Sequence, residues 1–175
     1  MKQHLIDLAD YSVSQQLRIV ELAGEIQKHP GWYSDSCHGK VMGTMFFEPS
    51  TRTQLSFQTA MLRLGGQVIG FENPLNTSVA KGESLKDTVR IVSTYADLCV
   101  MRHPQEGSVR AASLYSNCPM VNAGDGGHLH PTQTLTDLVT LKQYKGRLDN
   151  LTIGLCGDLK NGRTVHSLIR AMSRF

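Results

Sequence analysis

Lys40-Val-Met-Gly-Thr-Met-Phe-Phe47-Glu-Pro-Ser-Thr-Arg-Thr53 runs from an almost wholly apolar stretch straight into three hydroxyls and an arginine. Residues 40–47 read as a strand buried on both faces, because the run is continuous rather than alternating. Over 51–64 the period changes. Phe57, Ala60, Met61 and Leu64 fall at i, i+3, i+4 and i+7, the spacing of one helix face. Gly65-Gly66 stops that helix, and Gln67-Val-Ile-Gly-Phe71 is the next strand. Strand, helix and strand within about thirty residues make a parallel crossover unit, and this unit decides the fold.

The alternation continues on either side. Upstream, residues 12–28 carry Val13, Leu17, Val20 and Leu22 as a helical stripe, ended by His29-Pro30-Gly31. Downstream, the polar stretch 72–82 leads to Ser84-Leu-Lys-Asp87, a capping pattern that opens a helix through Val89, Val92 and Tyr95. Strands are expected at 98–102, 120–123 and 152–156. Helices are expected at 108–115, at 131–144 with Leu135, Leu138 and Val139 inside, and from Arg163 onward. The pattern predicts an α/β fold, a mostly parallel sheet with helices on both faces. Lys145-Gly146-Arg147 is the expected boundary between one domain over 1–149 and the first strand-helix unit of a second, incomplete α/β domain over 150–175.

The 175 residues are 40% hydrophobic and 19% charged, within the range of soluble globular chains. A formal charge of +3 with no basic, aromatic-laced stripe argues against nucleic acid. No apolar run approaches the ~20 residues of a membrane span. Met1-Lys-Gln-His-Leu-Ile-Asp7 turns acidic too early for a secretory signal, so a cytoplasmic location is expected. Cys37, Cys99, Cys118 and Cys156 include no C-x-x-C pair and suggest neither a disulfide framework nor a zinc site. Cys99 and Cys156, in apolar runs, are expected to act as small hydrophobes.

Ligands of such sheets bind beyond the carboxyl ends of the strands. Four segments occupy that position: 48–53, 102–104, 124–133 and 157–163. In the first, Ser50, Thr51 and Thr53 and the free N–H groups of a helix's first turn converge on an anion, with Arg52 adding a fork that fits phosphate oxygens. The alternative, Ser50 as a plain N-cap, accounts for one hydroxyl but not for three and an arginine. Arg102, at a strand end, is a second phosphate candidate; a surface ion pair is its ordinary alternative. In Gly124-Asp-Gly-Gly-His-Leu-His130-Pro-Thr-Gln133 the glycines allow close backbone approach, and His130 and Gln133 project from a helix's first turn as donors to a carbonyl oxygen. A capping histidine, or a metal held by His128 and His130, is the competing reading; no third ligand cluster supports the metal. Gly157-Asp-Leu-Lys-Asn-Gly-Arg163-Thr164 mimics a nucleotide-binding P-loop, but arginine replaces the lysine that reaches the phosphates.

Taken together, Ser50-Thr51-Arg52-Thr53, Lys81-Gly82-Glu83-Ser84-Leu85, Met101-Arg102-His103-Pro104-Gln105, His130-Pro131-Thr132-Gln133 and the segment from Gly157 to Ser167 resemble the ordered motif set of aspartate transcarbamoylase catalytic chains. That resemblance implies transfer of a carbamoyl group from carbamoyl phosphate to L-aspartate at the start of pyrimidine biosynthesis, with no cofactor and no metal. It implies that Ser50, Thr51, Arg52 and Thr53 hold the phosphate with help from Arg102. Thr53, Arg102, His130 and Gln133 would surround the carbamoyl group, and Arg52, Thr53, Arg102 and His130 would carry the catalytic role. Lys81 would contact both substrates, and Arg163 the carboxylate of aspartate. The loop with Ser78 and Lys81 would reach the adjacent subunit of a homotrimer, to which a regulatory chain can be added. Ala80 departs from relatives that carry a second lysine there. Family chains also continue through a whole aspartate-binding domain, which leaves these 175 residues with an incomplete site. Competing assignments are an ornithine transcarbamoylase and a non-catalytic carbamoyl-phosphate-binding module.

Overall fold

The computed structural model describes residues 3–160 and 162–175, excluding the side chain of Arg163. Four parallel strands form its sheet: β1 (Val41–Phe46), β2 (Gln67–Phe71), β3 (Leu98–His103) and β4 (Met120–Asp125), in the spatial order β2-β1-β3-β4. The registers are in step, Gly43 lying opposite Ile69 on one side and Cys99 on the other. Six α-helices accompany them: α1 (Val13–Lys28), α2 (Thr51–Arg63), α3 (Leu85–Tyr95), α4 (Ser108–Ser113), α5 (Pro131–Lys145) and α6 (Arg163–Met172). Short 3-10 turns occupy Leu8–Asp10, Pro30–Tyr33, Pro74–Asn76 and Ser78–Lys81.

Strand alternation sorts the core into two layers. Met45, Cys99, Met101 and Met120 point to the side where Val89 of α3 and Val109 and Ala112 of α4 pack. Met42, Phe46, Val100 and Ala123 point to the other side and meet Met61 and Phe57 of α2. A third cluster joins Val20 of α1, Leu138 of α5 and Ala171 of α6 around Leu8 and Leu148. Right-handed crossovers require this division. The chain grows from β1 to β2 in one direction and from β3 to β4 in the other, so the helices must change faces. The exposed side of β4 is covered locally: the N–H of Leu5 donates to Met120 O and the N–H of Asn122 to Leu5 O, both at 2.8 Å.

Turn chemistry fixes the joints. Ser12 and Gln15 form a reciprocal capping box at the start of α1. Ser84 Oγ accepts from the Asp87 N–H to open α3, as its sequence pattern predicts. Asp97, between α3 and β3, accepts the Val41 N–H and the Lys40 ammonium, each at 3.0 Å. Both bonds hold its carboxyl below the ordinary range, the backbone one most. Gly70 has φ +138, and a Cβ there would run into the Thr44 backbone, so strand β2 approaches β1 only because this position is glycine.

Three expectations are corrected. Residues 152–156 form no strand; they carry no regular structure and pair with no described segment before the turn that follows. Cys156 is accordingly exposed. Cys99 is buried, and its thiol is pushed far up by a bond from Cys118 Sγ at 3.5 Å and by desolvation, which leaves it a small hydrophobe. Leu22 and Tyr95 face outward, Tyr95 being 67% exposed; Gln16 is the buried residue of α1 that the apolar stripe misses. No helix among the described residues is long and apolar enough to cross a membrane.

Candidate active site

The order β2-β1-β3-β4 reverses direction between β1 and β3, and an open sheet leaves a crevice at the carboxyl ends of two such strands. The chain leaving β1 turns into α2 there, and the chain leaving β3 passes Arg102 and His103. Along this edge runs a cleft of about 510 Å³, lined by Ser50, Arg52, Thr53, Ser56, Phe57, Ala60, Arg102, His130, Thr132, Gln133, Thr136 and Thr164. Six of the residues singled out from the sequence therefore meet in one place: Ser50, Arg52, Thr53, Arg102, His130 and Gln133.

Ser50 precedes α2 but does not cap it. Its hydroxyl instead donates to Thr53 Oγ1 at 3.0 Å, which leaves the Thr53 proton for another acceptor. The first helical hydrogen bond runs from the Gln54 N–H to Ser50 O, so the N–H groups of Thr51, Arg52 and Thr53 precede the ladder. Together with the positive end of the helix dipole they make a turn chemically suited to an anion. Thr51 contributes through this backbone, since its side chain does not line the cleft.

Arg102 is only 6% exposed. Its Nη2 donates to Glu48 Oε1 at 3.3 Å and its Nη1 to Ala123 O at 3.4 Å, while Nε has no hydrogen-bond partner among the described residues. The expectation of a surface ion pair is thus half met: the pair exists, but its cation is buried and keeps a donor to spare. Burial lowers the neighbouring His103 imidazole below its usual value, against the pull of the Asp125 and Glu48 carboxylates. Its Nδ1 accepts the Gln105 N–H at 3.0 Å, so the ring is neutral at neutral pH and the arginines supply the positive charge of this edge.

The segment after β4 is tied down by buried Asp125. Its carboxylate accepts from the Gly107 N–H (2.9 Å), the Leu129 N–H (3.1 Å) and Asn122 Nδ2 (3.2 Å). Gly126, at φ +57, brings the turn so near Pro104 O that a Cβ would clash, and its N–H donates to His103 O at 2.9 Å. This clamp sets His130 at the N-cap of α5, largely buried, with Nδ1 3.4 Å from Thr132 Oγ1 and its backbone N–H donating to Ser167 Oγ at 3.2 Å. His128 turns elsewhere, Nδ1 lying 3.6 Å from Asp125 Oδ2. One turn into α5, Gln133 Nε2 donates to Asp137 Oδ1 at 3.0 Å. Burial raises the Asp137 carboxyl above its ordinary value, and the Gln133 amide opposes the rise.

Ser78 and Lys81 do not join this cleft; both are exposed in the 3-10 turn beyond edge strand β2. The Arg163 side chain lies outside the described residues, although the next residue, Thr164, lines the cleft. The P-loop reading loses its context, because the described residues 151–156 that lead into the segment form no strand. Sequence reasoning missed Ser56, Phe57 and Ala60 on α2 and Thr136 on α5. The first three continue the helical spacing of Arg52 and Thr53, and Thr136 that of Gln133, so the period alone pointed to them. Glu48 precedes the hydroxyl-rich turn, and nothing in its sequence position announces the bond it accepts from Arg102.

Comparisons with known proteins give the family. The family model for the aspartate/ornithine carbamoyltransferase carbamoyl-P binding domain matches residues 3–143. The aspartate carbamoyltransferase catalytic subunit of Clostridium perfringens strain SM101 is 60% identical over 173 residues, covering 99% of this chain and 56% of its own length. The subunit of Lachnoclostridium phytofermentans is also 60% identical over the same span. Among solved structures, the catalytic subunit of M. jannaschii aspartate transcarbamoylase superposes with TM-score 0.92 at 51% identity, covering all of this chain and 57% of that one. The Trypanosoma cruzi enzyme in complex with carbamoyl phosphate and aspartate gives 0.92 at 40%, covering 99% and 58%. The chain thus spans little more than half the length of the relatives it matches. It belongs to the aspartate/ornithine carbamoyltransferase family, and residues 3–143 match that family's carbamoyl-phosphate-binding domain.

Proposed function

We propose that the protein transfers the carbamoyl group of carbamoyl phosphate to the amine of L-aspartate, giving N-carbamoyl-L-aspartate and phosphate in the cytoplasm at the start of pyrimidine biosynthesis. The observation that carries this reading is the meeting of Ser50, Arg52, Thr53, Arg102, His130 and Gln133 in one cleft at the switch point of the sheet. Two guanidiniums, a first-turn backbone and a paired hydroxyl suit a phosphate, and an imidazole and a carboxamide beside them suit a small planar acyl group. The amine lone pair forms the new C–N bond, the carbonyl oxygen takes up negative charge, and the C–O bond to phosphate then breaks. Phosphate departs with the electron pair and accepts the amine proton. Thr53, Arg102 and His130 act by stabilising the oxyanion and the leaving anion in place, which needs no nucleophilic side chain.

Aspartate is favoured over ornithine because the relatives above are aspartate enzymes and because Arg163 offers a fork for a carboxylate. A carbamoylation assay with both amino acids tests the choice; citrulline as the dominant product overturns it. Residues 1–149 form the carbamoyl-phosphate domain in this reading, and 150–175 begin the aspartate domain. The Ser78–Lys81 turn serves the site of an adjacent subunit in a trimer, supported by its exposure and its absence from the cleft of its own chain. Mixing inactive Lys81→Ala and Arg52→Ala chains is then expected to restore partial activity, and no recovery after verified subunit exchange would sink the shared site.

A further inference from the structure

We propose that Asp137 is a positioning residue that fixes the Gln133 carboxamide with its carbonyl oxygen toward the cleft, making the site selective for an acyl phosphate whose acyl group bears N–H donors. The inference rests on the carbamoyl-phosphate reading above and refines it. A carboxamide presents two donors at one end and an acceptor at the other, and the ends exchange by a half-turn that costs nothing in shape. At Gln133 the ends are distinguished. Nε2 donates to Asp137 Oδ1 at 3.0 Å, one helical turn along α5, while Oε1 has no hydrogen-bond partner among the described residues. An ionised carboxylate only accepts, so the reversed amide would set two oxygens against each other.

Gln133 lines the cleft and Asp137 does not, so Asp137 acts on a ligand through its neighbour. This reverses the role expected from the sequence, where Gln133 was a donor to a carbonyl oxygen. The carbonyl oxygen of a bound carbamoyl group then falls to the donors His130, Thr53 and Arg102, and the carbamoyl nitrogen to Gln133 Oε1. An acetyl group, with a methyl where carbamoyl has NH2, offers Oε1 nothing and leaves it desolvated against carbon.

The test compares carbamoyl phosphate, acetyl phosphate and inorganic phosphate by isothermal titration with the full protein chain. Wild type is expected to bind carbamoyl phosphate on the order of tenfold more tightly than acetyl phosphate, the worth of one hydrogen bond. Asp137→Asn can pair with either amide orientation, so it is expected to lose most of that ratio while phosphate affinity holds; Asp137→Glu is expected to recover part of it. In a Gln133→Met background, Asp137→Asn is expected to change the ratio no further. If Asp137→Asn, verified folded by its thermal transition, keeps the wild-type ratio, the positioning role is wrong. Should that variant not fold, Asp137→Ser carries the same comparison. Wild type that binds carbamoyl phosphate no better than phosphate would instead overturn the carbamoyl-phosphate reading itself.

Discussion

Arg102 and Arg52 reach the same cleft under opposite physical constraints. Arg102 is buried, so its guanidinium depends on the Glu48 carboxylate and the Ala123 carbonyl for the solvation it has lost. Glu48→Gln weakens that support and removes the negative charge that Arg102 is paired with. It is expected to lower stability by about 1–3 kcal/mol and to tighten inorganic phosphate binding, effects that thermal unfolding and titration separate. Arg52 is exposed on the first turn of α2, and its substitution costs the fold little. Arg52→Ala is expected to shift stability by no more than ~0.5 kcal/mol while lowering kcat by roughly 10²–10³ in the full enzyme. Retention of more than about a tenth of wild-type turnover would remove Arg52 from the machinery. At this scale the sequence was generous with chemistry and silent on pairing. Three hydroxyls and an arginine in one run announce an anion site. That Arg102 pairs with a carboxylate 54 positions away is decided only when β1 and β3 lie side by side.

At the scale of elements, the crossover unit over 40–71 was legible because its two periods change abruptly at a turn. Residues 152–156 show the limit of that method. Thr152-Ile-Gly-Leu-Cys156 alternates as a strand does, but a strand exists only where another backbone accepts its hydrogen bonds, and none of the described segments does so. Tyr95 lies at helical spacing from Val92, yet α3 ends at Tyr95 itself, beyond the reach of the sheet. The joint between α3 and β3 carries a pH signature. Asp97 holds the start of β1 through the Val41 N–H, and its pKa is lowered in the folded state. A lowered value means that the unfolded chain takes up the proton first as the pH falls. The stabilisation is therefore complete above the ordinary value of 3.8 and is lost as the pH drops through the folded value. The difference in Tm between wild type and Asp97→Asn is expected to be full near neutrality and to close in acid; a pH-independent difference would assign the effect to packing.

For the whole molecule, the sheet order explains why segments separated along the chain share one site: the reversal between β1 and β3 opens the edge that 50–53, 102 and 130–133 occupy. The residues assigned to phosphate and carbamoyl recognition all lie within the span matched by the family, and Arg163 alone falls beyond it for aspartate. The 175 residues are therefore expected to bind phosphate in the cleft and to form no carbamoyl-aspartate at saturating substrates, with the Clostridium perfringens catalytic subunit as control. Turnover comparable to that control would show that these residues hold a complete site. The cover on the outer side of β4 bears on a different moment in the life of the chain. Asn122 Nδ2 donates to Ile6 O across 116 positions, beside the backbone bonds of Leu5. At ribosomal speeds of ~5–20 residues per second, the segment 4–6 waits on the order of ten seconds before its berth is translated. Through that interval Leu5 and Ile6 are apolar and without their berth, so the nascent chain presents an apolar segment to whatever chaperone stands at the exit tunnel.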